Sequence, residues 1–229
     1  MKRTKFLNCR IDFSRHNFLP RAETEFWVGK AMRKLNAGAC ALRKNRNLRS
    51  VIMVLDIFAG TGCIGIAVLK NIKNCQVDFS DISKNAAEQI KINLKLNKIS
   101  KNRYKVYSSN LFEKLKGKRL ALSRAEGYDF IFANPPYVAL DRISEVQKEV
   151  LKNEPHVALF AGKDGMVMIA KFFKQVKRYL KPGGKIFLEF DPLQKEKIAE
   201  ILKKEELKVE FKKDQFGKYR WLVASFFIF

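Results

Sequence analysis

The chain has 229 residues, 47% of them hydrophobic and 30% charged, values that exclude disordered and collagen-like classes and suit one large domain with its own core. Lysine and arginine number 46 against 23 acids, a net charge of +23 with an isoelectric point near 10.0. No apolar run reaches the roughly 18–20 residues of a membrane span, and Met1-Lys2-Arg3-Thr4-Lys5 opens no apolar signal segment, so the chain reads as cytosolic.

A short basic arm, 1–19, precedes a single domain expected over 20–229, whose first element is a helix. Val51–Asp56 is a β-branched run ending at an acid and a glycine-bearing turn. Ile64–Ile72 reads as a helix and Cys75–Ser80 as a second strand. Ser83–Leu96 carries Ile90, Leu94 and Leu96 among polar residues, a helix that Ser83 caps. Tyr104–Tyr107 and the continuously apolar Tyr128–Ala133 are further strands. A proline turn, a polar helix near Arg142–Leu151 and a helix over Met166–Leu180 follow, the last stopped by Lys181-Pro182-Gly183-Gly184. Lys185–Phe190 is a strand, Gln194–Lys204 a helix, and Val209–Lys213 with Trp221–Phe229 an antiparallel pair at the sheet edge. The alternation predicts one doubly wound, mostly parallel α/β sheet.

Between the first strand and its helix lies Asp56-Ile57-Phe58-Ala59-Gly60-Thr61-Gly62-Cys63-Ile64-Gly65. Glycines there permit a tight turn and close approach to a ligand, and in an open α/β sheet ligands bind beyond the carboxyl ends of the strands. Gly60, Gly62 and Gly65 also match the dinucleotide fingerprint, with Asp81 placed to accept ribose hydroxyls. Asp56 argues for another tenant, because a carboxylate before the loop repels a pyrophosphate and suits the cationic S-adenosylmethionine.

Asn134-Pro135-Pro136-Tyr137 follows the Tyr128–Ala133 strand at the same sheet edge. A nitrogen on an sp² carbon is a poor nucleophile because its lone pair is delocalised. Asn134 can offer its side-chain oxygen to one N–H and Pro135 its carbonyl to the other, which holds the nitrogen for attack on a methyl-sulfonium. Tyr137 can cover a flat substrate group, and in-line positioning does most of the work. The turn predicts methylation of a planar amino group, in adenine, cytosine or a glutamine side chain.

The positive charge has two readings. A basic surface attracts nucleic acid or ribosomal particles, and lysine spread among Ile, Asn and Phe is also the drift of an AT-rich genome. Lys30–Arg49 and Lys91–Lys105 hold many basic residues and no acid, each a nucleic-acid patch or a solvated face. Cys9, Cys40, Cys63 and Cys75 show no C-x-x-C spacing, so no metal site is expected, and His16 and His156 read as surface or core histidines.

From Leu19 onward the chain resembles the bacterial release-factor glutamine methyltransferases. Leu19-Pro20-Arg21-Ala22-Glu23-Thr24-Glu25 is similar to that family's P-R-x-E-T-E signature, Leu55–Cys63 to its cofactor loop, Asp81-Ile82-Ser83 to its D-I-S strand end and Asn134–Tyr137 to its N-P-P-Y. Glu154-Pro155 through Ala158-Leu159, with Gly162-Lys163-Asp164-Gly165, resembles its E-P-x-x-A-L…G-x-D-G segment. Glu189 with Gln194, and Asp214–Arg220, resemble its C-terminal motifs. Phe58 stands where the family's loop begins with glycine. Asn110 and Leu111 stand at an acid and an aromatic of an S-D-x-F stretch, and Asp191 at a glycine.

The resemblance implies the Rossmann-like, seven-stranded class I methyltransferase fold with an antiparallel C-terminal edge strand. It implies S-adenosyl-L-methionine as cofactor, held by Thr24, Asp56, Phe58, Ala59, Gly60, Thr61, Gly62, Asp81, Ile82, Asn110, Leu111 and Asn134. Asn134, Pro135 and Tyr137 become the catalytic residues, and with Pro136 they bind the substrate. The implied reaction is N5-methylation of the glutamine in the Gly-Gly-Gln motif of peptide chain release factors, which are the expected partners. A ribosome or nucleic-acid contact through the basic surface accompanies that expectation. The family usually carries a helical N-terminal docking domain; roughly twenty residues precede the signature here, so simplified docking, or a partner or the basic surface in its place, is expected. A ribosomal-protein glutamine methyltransferase and an adenine-N6 methyltransferase of DNA or RNA are the competing readings.

Overall fold

The computed structural model describes residues 2–16, 18–44, 51–115, 127–145, 151, 159 and 161–226. His156, the Glu154–Ala158 part of the motif above, the later part of the expected Arg142–Leu151 helix, and Phe227 with Phe229 lie outside them. The expected basic arm contains a hairpin, β1 (Arg3–Phe6) and β2 (Cys9–Asp12), paired from Arg3 with Asp12 to Phe6 with Cys9. Leu7 and Asn8 form its turn with φ of 42° and 65°, the doubly left-handed turn whose twist matches two antiparallel strands. Phe6, Cys9 and Ile11 are buried beneath it.

α1 (Ala22–Lys44) leads to β3 (Ile52–Ile57), α2 (Cys63–Asn71), β4 (Cys75–Asp81), α3 (Lys84–Leu96), β5 (Tyr104–Ser108) and β6 (Tyr128–Ala133). After the proline turn come α4 (Val167–Val176), β7 (Leu180–Glu189), α5 (Lys195–Lys204), β8 (Leu207–Lys213) and β9 (Tyr219–Phe226). The seven-stranded sheet runs β5-β4-β3-β6-β7-β9-β8. Its pairs are parallel as far as β7, and β9 runs antiparallel to both β7 and β8. The antiparallel C-terminal strand thus sits one place in from the edge, which β8 holds. β3 is flanked by β4 and β6, so the loops leaving β3 and β6 open a crevice at the point where the strand order reverses.

The sheet separates two apolar cores. One joins the hairpin, Trp27, Val28 and Leu35 of α1, and the inner faces of α2 and α3 to Val54, Val77 and Phe132. The other joins α4 and α5 to Leu55, Ile131 and Leu188. Trp27 stacks between Phe132 and Trp221, with ring centroids 6.1 and 6.0 Å away, which seats α1 across the middle of the sheet.

α3 attaches the hairpin through side chains. Gln89, Asn93 and Asn97 repeat every four residues and are buried, so they form one stripe. Asn97 accepts from the Arg10 N–H at 3.0 Å and donates to its carbonyl at 2.7 Å. Asn93 accepts from the Asp12 N–H at 2.8 Å and donates to the Asp12 and Thr61 carbonyls at 2.8 and 2.9 Å. Gln89 accepts from the Arg15 N–H at 2.7 Å. This amide stripe satisfies the edge of β2 as a neighbouring strand would.

One helix is shorter than the sequence predicts. The expected Met166–Leu180 helix ends at Val176, because the Tyr179 carbonyl accepts from the Tyr128 N–H at 2.8 Å and Leu180 already pairs with Tyr128 in the sheet. The Lys-Pro-Gly-Gly segment therefore lies inside an irregular β7 and does not cap the helix. At the described start of the polar helix expected near Arg142–Leu151, Leu140–Glu145 makes 3-10 turns kinked at Arg142. The Leu140 and Asp141 N–H groups donate to the Gly162 and Lys163 carbonyls, at 3.1 and 3.3 Å.

Candidate active site

β3 ends in the crevice at Ile57, and the chain turns through Phe58–Gly62 into α2. Phe58, Gly60 and Gly62 all have positive φ, at 61°, 53° and 75°. Glycine adopts that region at no steric cost and phenylalanine does not. Phe58 is held there by its ring, 6.2 Å from Phe172 in the second core. Gly65 fixes α2 against the sheet, since a Cβ at that position would lie 2.3 Å from the Phe79 ring.

Asp56 is buried behind this loop. Its Oδ2 accepts from the Gly65 N–H at 2.8 Å, and its Oδ1 is buried with no partner among the described residues. Burial pushes its carboxyl up to about 8; the Gly65 N–H pulls the other way and Asp81 adds to the rise. Asp81 closes β4 half-exposed, with one oxygen on the Gly60 N–H and the other on the Ser83 N–H, both at 2.8 Å. Each oxygen keeps a lone pair for the crevice. The Ser80 hydroxyl donates to the Leu111 carbonyl at 2.8 Å, which brings the segment after β5 up beside Asp81.

A cavity of about 330 Å³ fills this crevice. Of the residues singled out by the sequence, Phe58, Ala59, Gly60, Thr61, Asp81, Ile82, Asn110, Leu111, Asn134 and Pro136 line it. Gly62 caps α2 behind the wall, Asp56 lies beneath the loop, and Pro135 is buried in the turn. Asn110 spends its amide nitrogen on Glu113 at 2.8 Å. Tyr137 is turned inward, its hydroxyl donating to Glu189 Oε1 at 3.1 Å. It lines a second cavity, about 210 Å³, together with Arg142, Asp164 and Gln194.

Thr24 does not line the larger cavity. Its hydroxyl donates to Glu189 Oε2 at 2.7 Å and accepts from Asn134 Nδ2 at 3.4 Å. Trp27 Nε1 donates to the same Glu189 oxygen at 2.6 Å. Burial pushes the Glu189 carboxyl up while these donors hold it down, and burial beside Glu189 drives the Tyr137 hydroxyl well up.

His16 is the wall residue that sequence reasoning passed over. It is buried, lines the cavity and approaches Gly60; burial lowers its pKa, against a pull from Asp81. Its backbone N–H donates to Gln89 at 3.3 Å, so the hairpin's attachment to α3 delivers it. Phe18, Met168 and Lys171 also line the cavity, without a local signal in the sequence.

These residues fit S-adenosylmethionine. Among the described residues the wall presents one lysine, Lys171, where a pyrophosphate needs several donors, and it carries the Asp81 carboxylate. Loop glycines, a carboxylate with free lone pairs and an apolar cavity are what a nucleoside with a cationic tail requires. Among the described residues there is no group of metal-ligating side chains and no helix long and apolar enough to cross a membrane.

The methyltransferase small domain family matches residues 31–163. The release factor glutamine methyltransferase of Streptococcus pneumoniae is 33% identical over 222 residues, 96% of this chain and 71% of that protein. A bifunctional methyltransferase of Rickettsia typhi is 32% identical over 204 residues, 86% of this chain but 38% of that protein. Among solved structures, the hMettl16 catalytic domain in complex with a MAT2A 3′UTR hairpin aligns with a TM-score of 0.63 at 13% identity, covering 97% of this chain and 77% of that one. The ribosomal protein L11 methylase of Lactobacillus delbrueckii subsp. bulgaricus aligns with a TM-score of 0.53 at 19% identity, covering 82% and 77%. Both share the class I methyltransferase fold.

Proposed function

The chain belongs to the release factor glutamine methyltransferase family, with S-adenosylmethionine as methyl donor, and from that premise we propose that it methylates the side-chain amide nitrogen, N5, of the glutamine in the Gly-Gly-Gln motif of a peptide chain release factor. The observation that carries this reading is the position of Asn134 at the carboxyl end of β6, on the wall of the cavity that Asp81 and Gly60 also line.

In this reading Asp81 accepts the ribose hydroxyls, the Phe58–Gly62 backbone approaches the donor's tail, and Asn110 and Leu111 flank the base. The bound donor supplies an electrophilic methyl on a sulfonium. Asn134 Oδ1 and the Pro135 carbonyl each accept one N–H of the substrate amide, which orients the nitrogen's lone pair at that methyl and disfavours planarity. The nitrogen gains the methyl and gives up one proton along an acceptor to water, and the C–S bonding pair stays on sulfur. Pro135 and Pro136 hold the turn rigid, and Tyr137 braces it from inside.

Labelled S-adenosylmethionine offered with a release factor, its Gly-Gly-Ala variant, ribosomal protein, DNA and RNA tests the reading. Label on the release factor alone, absent from the variant, is the expected result. Label on nucleic acid or a ribosomal protein overturns the substrate.

A further inference from the structure

Thr24, Glu189 and Asn134 form a hydrogen-bond chain whose direction is determined by its buried end. Glu189 is surrounded by donors: Thr24 and Trp27 on one oxygen at 2.7 and 2.6 Å, Tyr137 on the other at 3.1 Å. The Trp27 indole can only donate. The Thr24 hydroxyl has one proton and gives it to Glu189, so towards Asn134 it has only lone pairs. Asn134 must therefore face Thr24 with its nitrogen, at 3.4 Å. Because Asn134 lines the cavity, its remaining polar group there is the oxygen.

An asparagine amide is nearly symmetric in shape, and a half-turn exchanges a donor for an acceptor. Were the Thr24 proton free, it could donate to Asn134 Oδ1 and leave the amide nitrogen facing the substrate N–H, donor against donor. We propose that Glu189 and Thr24 are positioning residues that fix the orientation of the Asn134 amide, so that the substrate's nitrogen always meets an acceptor. This rests on the reading of Asn134 as the acceptor of a substrate N–H. It also explains the buried carboxylate: a neutral apolar residue there would leave the Thr24, Trp27 and Tyr137 donors unpaired and the Asn134 amide free to turn.

The test compares Thr24→Val, which is isosteric and lacks the hydroxyl, with Thr24→Ser, which restores it. Glu189→Met is compared likewise with Glu189→Gln, whose carbonyl can replace the oxygen shared by Thr24 and Trp27. Thr24→Val is expected to lower kcat about 30- to 100-fold, the scale of losing one aligned acceptor. KM for the release factor and donor affinity by calorimetry should stay within about threefold of wild type, and Thr24→Ser and Glu189→Gln should recover most of the rate. The double variant Thr24→Val/Glu189→Met should be no slower than the slower single variant, because both act through one amide.

A second readout needs neither substrate nor turnover. In protein labelled with ¹⁵N-asparagine, the Asn134 side-chain NH₂ signal, assigned by its loss in Asn134→Ala, should move in Thr24→Val and return in Thr24→Ser. An unmoved signal, or a Thr24→Val enzyme at full rate, overturns the inference. Wild-type protein that leaves release factors unlabelled overturns the substrate instead, and the amide signal still decides the orientation.

Discussion

A Cβ placed on Gly165 would lie 2.2 Å from the carbonyl oxygen of Tyr137. The glycine's φ of +74° and Gln194, whose amide donates to that same carbonyl at 2.9 Å, complete the support beneath the Asn134–Tyr137 turn. Gly165→Ala must push the turn away. It should cost about 2–5 kcal/mol of stability through overpacking and left-handed strain, and lower kcat while donor affinity holds. Denaturant unfolding and calorimetry check both; wild-type stability would show that the turn yields freely.

Phe58→Gly sets two effects against each other. Relief of the left-handed conformation gains about 1–2 kcal/mol, and the flexibility of an unfolded glycine takes back about 0.5–1 kcal/mol. Losing the half-buried ring over Phe172 costs about 1.5–3 kcal/mol. Packing should win, leaving the variant about 1–2 kcal/mol less stable. A higher denaturant midpoint than wild type would mean that backbone strain dominates.

Asp81→Ala removes both proposed ribose acceptors and the partner of the Gly60 N–H. At about 1.5–3 kcal/mol for a hydrogen bond to a charged group, the dissociation constant for S-adenosylmethionine should rise about 30- to 100-fold. Calorimetry gives the value directly, and an unaltered constant would remove Asp81 from the ribose site.

Asp56 makes the stability of the ligand-free protein depend on pH. Its folded-state pKa of about 8 lies above the ordinary carboxyl value of 3.8, so between those values the folded protein retains a proton that the unfolded chain has lost. Stability should therefore fall as pH rises through that window and level off above pH 8. Asp56→Asn lacks this titration, so the melting temperatures of wild type and variant should diverge from pH 5 to pH 8 and run parallel beyond. Parallel curves throughout would show that Asp56 ionises normally in the folded protein.

The parallel sheet, the glycine loop, Asp81 and the proline turn were legible because each is written in neighbouring residues: an apolar run, then a breaker, then a polar group at a strand end. The hairpin was not. Its strands have four residues each, and its left-handed turn is Leu7-Asn8 in place of the Asn-Gly that usually announces one. His16 reaches the cavity through Gln89, 73 residues away, and Thr24 meets Glu189 across 165. Such partnerships leave no local periodicity to read. The end of α4 is hidden for the same reason, since its helical pattern continues into residues that Tyr128 claims for the sheet.

The amide stripe on α3 also imposes an order on how the protein is made. The Asp12 backbone waits for Asn93, 81 residues further along, which at roughly 5–20 residues per second of synthesis is a delay of about 4–16 s. During that interval the hairpin has its turn but not its seat, and His16 has no wall to join. Asn93, which donates to both the Asp12 and the Thr61 carbonyls, then joins the hairpin to the glycine loop in one step, and the Asn134 wall of the crevice is synthesised later still.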